Sequence, residues 1–177
     1  MEEPPLIRRA TLQDAEILTQ QRRAIAAATG TTDVCILDTI ASNFSSWVRE
    51  KLARDEYLGW LAVDGSGDDE YVIAGAGLWL MDWPLSARNL SGKNPYIMNV
   101  YTHPAYRRLG LGRELVAIMV DYCRENSFPF ATLHTTQSGR PLYETMGFHE
   151  TCEMQLDLQE ALMPIALPIY EYVPMRG

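Results

Sequence analysis

The spacing of apolar positions changes several times along this chain, and each change marks an element. Residues 6–10 form a first strand pattern. Thr11-Leu12-Gln13-Asp14 then opens a helix with a capping pattern, which Ala15, Leu18 and Ile25 carry to about residue 28. After a break at 30–33, Asp33 is placed to cap a second helix reaching toward residue 54. Within it Ile36, Leu37, Ile40, Phe44, Trp47, Val48 and Leu52 recur at helical spacing. Residues 57–63 and 71–81 read as strands on either side of a polar Asp-Gly-rich turn, which predicts a hairpin. Gly75 and Gly77 lie inside the second of these strands, where glycine marks a bulge or a close backbone approach. The connection 82–95 is longer than a hairpin needs and carries Trp83, Pro84 and Lys93. It is either a wall of the substrate pocket or a surface excursion.

The second half is organised around residues 96–126. A strand over 96–102 ends before Pro104, which has no N–H for a ladder. Arg107-Arg108-Leu109-Gly110-Leu111-Gly112 follows, then a helix with Leu111, Leu115, Ile118 and Tyr122 on one face. Further on come a strand at 130–135, a short helix begun by Pro141, an αL stop at Gly147 and a last strand at 150–158. The stretch 159–177 holds three prolines and several apolar residues, and it either packs back on the domain or mediates association, including as a homodimer. The expected organisation is one domain over 1–158 with a C-terminal extension over 159–177. Its fold class is mixed α/β: two helices near the start, a mostly antiparallel sheet, and a helical crossover between two parallel central strands.

Composition narrows the function classes. With 177 residues, 47% hydrophobic and 21% charged, the chain has enough apolar residues for a proper core. A net charge of −8 argues against a nucleic-acid partner, and it makes Arg107, Arg108 and Arg113 a local basic exception. Cys35, Cys123 and Cys152 are scattered, with neither metal-ligand nor paired spacing, and are expected to be reduced structural thiols. The acidic, proline-rich start is unlike a signal peptide, and the apolar run at 73–81 is too short to span a bilayer. The expectation is a cytoplasmic protein with no membrane partner and no metal.

Strand, basic glycine loop and helix in that order make an anion site. The free N–H groups of the helix N-terminus, its dipole and the arginines all favour negative charge, and glycine lets a ligand approach the backbone. A Walker loop is excluded by its missing Lys-Ser/Thr pair, and a dinucleotide fingerprint by its missing third glycine. What fits is Arg-x-x-Gly-x-Gly on Arg107, Gly110 and Gly112, which resembles the acyl-CoA pyrophosphate loop of the GNAT N-acetyltransferase superfamily. Downstream, Leu142-Tyr143 followed by Gly147-Phe148 resembles the Leu-Tyr-x-x-x-Gly-Phe signature of the same superfamily. The resemblance covers residues 6–158, with specific motifs only from Tyr96 onward.

That resemblance implies a GNAT fold whose two central parallel strands splay apart, with acetyl-CoA lying in the gap as cosubstrate. The backbone of Val100, Tyr101 and Thr102 would then hold pantetheine and the acyl carbonyl. Arg107, Arg108, Leu109, Gly110, Leu111, Gly112 and Arg113 would hold pyrophosphate. The implied reaction is direct acetyl transfer to a primary amine of a small molecule or peptide, with Tyr143 protonating the departing thiolate. Many relatives carry a Glu on the central strand as base, and this strand offers Asn99 and Tyr101 instead. His134, or Asn99 ordering a water, are the candidates for that task. Where relatives often have an Asn that bonds pantetheine, this chain has Thr136, and either Thr136 or Ser138 would substitute. Two other functions stay open: an acyltransferase using a different acyl-CoA or acceptor, and a noncatalytic acyl-CoA-binding regulatory module.

Overall fold

The computed structural model describes residues 5–65 and 70–156. Its strands are β1 (Leu6–Arg9), β2 (Tyr57–Asp64), β3 (Tyr71–Asp82), β4 (Lys93–Thr102) and β5 (Thr132–Leu133). The helices are α1 (Ala15–Ala28), α2 (Val34–Ala53), α3 (Leu111–Glu125) and α4 (Arg140–Glu144). The five strands form one sheet in chain order. Pairing is antiparallel from β1 to β4 and parallel between β4 and β5, the pair that α3 connects.

Local chemistry accounts for the helix starts. The Asp33 carboxylate accepts from the N–H groups of Cys35 at 2.8 Å and Ile36 at 3.3 Å, satisfying two orphan donors of α2. Ahead of α1, Asp14 turns back to accept from Thr11 N–H at 2.7 Å and Thr11 Oγ1 at 2.9 Å. This turn at Leu12–Asp14 is 3-10 rather than α-helical.

Side chains alternate to two apolar layers. On one face Leu58, Ala74, Ala76, Leu78 and Ile97 pack with Leu111, Leu115, Val116 and Met119 of α3. On the other, Tyr57 and Leu61 pack with Leu18 of α1 and with Phe44 and Val48 of α2. The seam of α3 lies one residue round from the expected one, with Val116, Met119 and Cys123 buried and Ile118 and Tyr122 at its margin. Met119 and Cys123 complete the i, i+4 row from Leu115, and that row faces the centre of the sheet.

Gly75 and Gly77 do mark close approach. A Cβ on Gly77 would lie 1.9 Å from the Tyr57 hydroxyl, and one on Gly75 would lie 2.3 Å from Gln21 Oε1. Opposite them β4 carries a bulge, because Gly75 pairs with Tyr101 whereas Gly77 pairs with Met98. Asn99 and Val100 therefore share the place opposite Ala76, and Asn99 adopts φ 54°.

Two expectations fail at the far edge. The strand expected at 130–135 is a strand only at Thr132–Leu133. The last strand expected at 150–158 is absent from 150–156, where no ladder forms, and 157–158 lie outside the described residues, as does the extension 159–177. Charge explains the first part of that segment. Glu150 turns to Arg140 at 2.5 Å and Glu153 to His134 at 3.7 Å, while Met154 and Leu156 are exposed. The cysteines also divide. Cys123 is buried, which raises its thiol pKa to about 11, whereas Cys35 and Cys152 are exposed free thiols rather than packed ones. Among the described residues no helix is long and apolar enough to cross a membrane, and no group of His, Cys, Asp and Glu could hold a metal.

Candidate active site

β4 and β5 pair only at Tyr96–Thr132 and Ile97–Leu133. Beyond that point β4 continues to Thr102 with β3 as its only partner among the described residues, so the ladder groups on its other edge face a gap. The bulge at Asn99 and Val100 lies just past the divergence. It removes those two residues from regular pairing and re-aims their backbone groups.

The basic loop closes one end of this gap. Pro104–Tyr106 forms a 3-10 turn, begun by His103, whose Nδ1 accepts from Ala105 N–H at 3.4 Å. Arg108 and Gly110 then both take left-handed conformations, φ 69° and 87°. Left-handed residues among right-handed ones curl successive N–H groups into anion-binding concavities. No acceptor among the described residues takes the N–H groups of residues 108–113, and the first helical bond runs from Glu114 N–H to Gly110. Arg107 braces the loop through Nε to the Thr102 carbonyl at 3.3 Å, and Arg113 reaches Thr145 Oγ1 at 2.8 Å.

The two glycines differ in what they serve. Gly110 is needed for its positive φ. Gly112 is not required by the fold: a Cβ there would meet Val100 Cγ1 and Thr102 Oγ1 at 3.8 Å and Leu142 Cδ2 at 3.9 Å, which is ordinary contact. Those three neighbours bring the end of β4, the start of α3 and α4 together at one point. This junction fits an acyl-CoA: free N–H groups suit its pyrophosphate, and the unpaired edge of β4 suits an extended amide chain.

Tyr143 sits half-buried on α4 against the α3 layer, its ring 5.8 Å from that of Phe148. Burial raises its pKa, so the phenol is a proton donor at neutral pH. It lines a cavity of about 400 Å³ together with His134, Arg140, Glu144 and Phe148. Thr136 and Ser138 are exposed and joined at 3.1 Å, and Thr136 Oγ1 also accepts from Gly139 N–H at 3.2 Å. Both are thus engaged in starting α4.

The opposite face of β4 holds a group of polar side chains that periodicity does not reveal. Asn99 is buried; its Oδ1 accepts from Arg22 Nη1 at 3.3 Å, and its Nδ2 donates to the Tyr57 hydroxyl at 3.5 Å. Those bonds leave one of its amide N–H groups for a ligand. Arg22 projects from α1 with its guanidinium 5.9 Å from the Phe44 ring. Burial pushes the Tyr57 pKa up, and the Asn99 bond and the Arg22 charge oppose it. Tyr96 is likewise raised by burial, with the His134 bond and Arg22 opposing. The Tyr96 hydroxyl and His134 Nδ1 are 2.6 Å apart, and His134 Nε2 faces Glu153.

Sequence reasoning finds Asn99 and His134 but misses Arg22 and Tyr96. Tyr96 has a signal, as the first residue of a strand that alternates toward this face. Arg22 has none, because nothing in a helix pattern tells which polar residue faces inward. Tyr101 is half-buried, Leu109 is exposed and Leu111 is buried in the core.

Comparison with known proteins agrees with this arrangement. The sequence model of the acetyltransferase (GNAT) family matches residues 30–148. A GCN5-related N-acetyltransferase from Ralstonia eutropha JMP134 is 31% identical, with a TM-score of 0.78 over 87% of this chain and 98% of its own. A predicted acetyltransferase from Clostridium acetobutylicum, solved with acetyl-CoA, is 26% identical, with a TM-score of 0.77 over 88% of this chain and 97% of its own. Glucosamine-6-phosphate N-acetyltransferase from Arabidopsis thaliana shares the fold at 18% identity and a TM-score of 0.60, over 88% of this chain and 97% of its own. No curated protein matches the chain. The chain belongs to the GNAT acetyltransferase family.

Proposed function

We propose that this acetyltransferase moves the acetyl group of acetyl-CoA directly onto a primary amine, with both substrates held at once across the β4–β5 gap. The observation that carries the proposal is the junction at Gly112, where free N–H groups, the open edge of β4 and the helix bearing Tyr143 meet. Acetyl-CoA supplies an activated thioester carbonyl. The N–H groups of residues 108–113 hold its pyrophosphate, Arg107, Arg108 and Arg113 add positive potential, and the backbone of Val100, Tyr101 and Thr102 aligns the pantetheine arm. Thr136 and Ser138, already bonded to one another, offer that arm a hydroxyl contact.

The remaining chemistry falls to side chains. Backbone N–H beside Val100, freed by the bulge, stabilises negative charge growing on the carbonyl oxygen. Tyr143 gives its proton to the departing thiolate, and burial keeps that phenol protonated until the thiolate forms. The acceptor reaches the enzyme as an ammonium and must first lose a proton. His134, hydrogen-bonded to Tyr96 and open to solvent, receives it, and Asn99 with its remaining N–H orders a water beside the amine. Holding the two reactants together supplies much of the rate.

Calorimetric titration with acetyl-CoA and free CoA, followed by thiol release over a panel of amines, tests this directly. The expected result is binding in the micromolar range and acceptor-dependent thiol release; absence of binding would overturn it. Tyr143→Phe is expected to slow turnover by about 10² while leaving acetyl-CoA affinity nearly unchanged. An unchanged rate would remove Tyr143 from the mechanism.

A further inference from the structure

Arg22 is the residue of the acceptor face that the acetyl-transfer scheme leaves unused. Five arginines hold carboxylates: Arg8 pairs with Asp14 and Glu70, Arg23 with Asp38, Arg54 with Glu50, Arg124 with Asp121, and Arg140 with Glu144 and Glu150. Arg22 lies next to Arg23 on the same helix, yet no carboxylate pairs with it among the described residues. Its one hydrogen bond among the described residues goes to the neutral oxygen of Asn99, and at 3.3 Å that bond is long for a guanidinium donor. Its head touches Asn99 and lies toward the Phe44 ring, and its charge is felt by the Tyr57 and Tyr96 hydroxyls, but none of these groups neutralises it. A guanidinium offers five donors, so most of those on Arg22 remain free. It is therefore an oriented, uncompensated positive charge beside the bulge where the acceptor would sit.

We infer that Arg22 binds an oxyanion, a carboxylate or a phosphate, carried by the acceptor amine itself. This rests on the amine-acetylation reading and adds the substrate class: an amino acid or an aminoalkyl phosphate rather than a simple cationic amine. With the anionic end on Arg22, the amine end is left for the Tyr96–His134 pair and the β4 bulge. The acidic surface of the protein would then not select the acceptor. The Arg22 charge selects it by leaving the guanidinium without an acidic partner whenever a neutral analogue binds.

The test is thiol release from acetyl-CoA over matched acceptors. α-Amino acids are compared with their carboxamides, and aminoalkyl phosphates with the corresponding amino alcohols. The expected result is a preference of about tenfold to a hundredfold in kcat/KM for the anionic member of one of the two sets, which also tells which oxyanion is used. Arg22→Met should bring that ratio toward one, and Arg22→Lys should recover part of it. A wild-type enzyme that turns over both members of each pair equally would overturn the inference and leave amine acetylation standing. The inference is also overturned if Arg22→Met keeps the full preference. Acetyl-CoA binding with no turnover of any amine would remove both.

Discussion

The two halves of the proposed site offer their ligands different groups. The proposed cofactor side offers backbone: N–H groups at residues 108–113 with no acceptor among the described residues, and the open edge of β4 past Ile97. The proposed acceptor side offers side chains from four elements: Arg22 from α1, Phe44 from α2, Tyr57 from β2, and Tyr96 and Asn99 from β4. A backbone site tolerates many sequences provided that space and φ are kept. A side-chain site depends on each identity and on the packing of several elements at once. Substitutions that separate these demands show whether the division is real.

The largest effect is expected on the cofactor half. Gly112→Glu places a charged chain where Val100, Thr102 and Leu142 converge and where pyrophosphate would lie. Acetyl-CoA affinity should fall by at least about a hundredfold, close to 2.7 kcal/mol, as read by calorimetry. Gly112→Ala keeps ordinary contact distances to those neighbours, so its thermal midpoint should stay near that of the wild type. Any loss of binding it causes then belongs to the ligand rather than to folding. Undiminished affinity in Gly112→Glu would mean that the loop does not hold the phosphates.

That half is legible in the sequence because its signals are local. Pro104 ends a strand, two glycines permit a tight turn and close approach, and the period of Leu111 and Leu115 announces a helix within a few residues. The bulge at Asn99 leaves its mark only on the partner strand, as Gly75 and Gly77. Arg22 leaves none, since its meaning arises when α1 is laid across β4. The last strand misleads for a related reason. Its alternating residues suggest a sheet partner, whereas Glu150 and Glu153 find Arg140 and His134.

A smaller effect is expected from Gly77→Ala on β3, against the Tyr57 hydroxyl behind Asn99. Its new methyl group would overlap the Tyr57 hydroxyl, and Tyr57 cannot yield, being buried and edge-packed against Phe44 and Trp47. Overpacking of this kind costs about 1–3 kcal/mol, measurable as a shift of the urea midpoint. Because Tyr57 also accepts from Asn99, the acceptor KM should rise while acetyl-CoA affinity holds. Equal losses in both would show that the two halves are mechanically one.

The smallest change is expected at the root of α1, which carries Arg22. The Asp14 carboxylate joins α1 to β1 through Arg8 at 2.8 Å and through the two Thr11 bonds. Burial pulls its pKa upward, but the Arg8 bond and the two Thr11 bonds together outweigh that, and the net result lies below the ordinary carboxylate value. A folded-state pKa below the unfolded one means that the native protein holds the proton less tightly. The stabilisation is therefore present above the unfolded pKa near 4 and is lost as pH falls through the lower, folded value. Asp14→Asn should cost about 1–2 kcal/mol at pH 7, less than a fully buried pair because Arg8 keeps partial contact with water. The gap between variant and wild type should narrow as urea melts are repeated at descending pH below about 4. A gap independent of pH would mean that the carboxylate charge does not anchor the helix. If α1 loosens as expected, the acceptor KM moves severalfold and acetyl-CoA affinity does not, because the α1 residue in the proposed site, Arg22, lies on the acceptor side at Asn99.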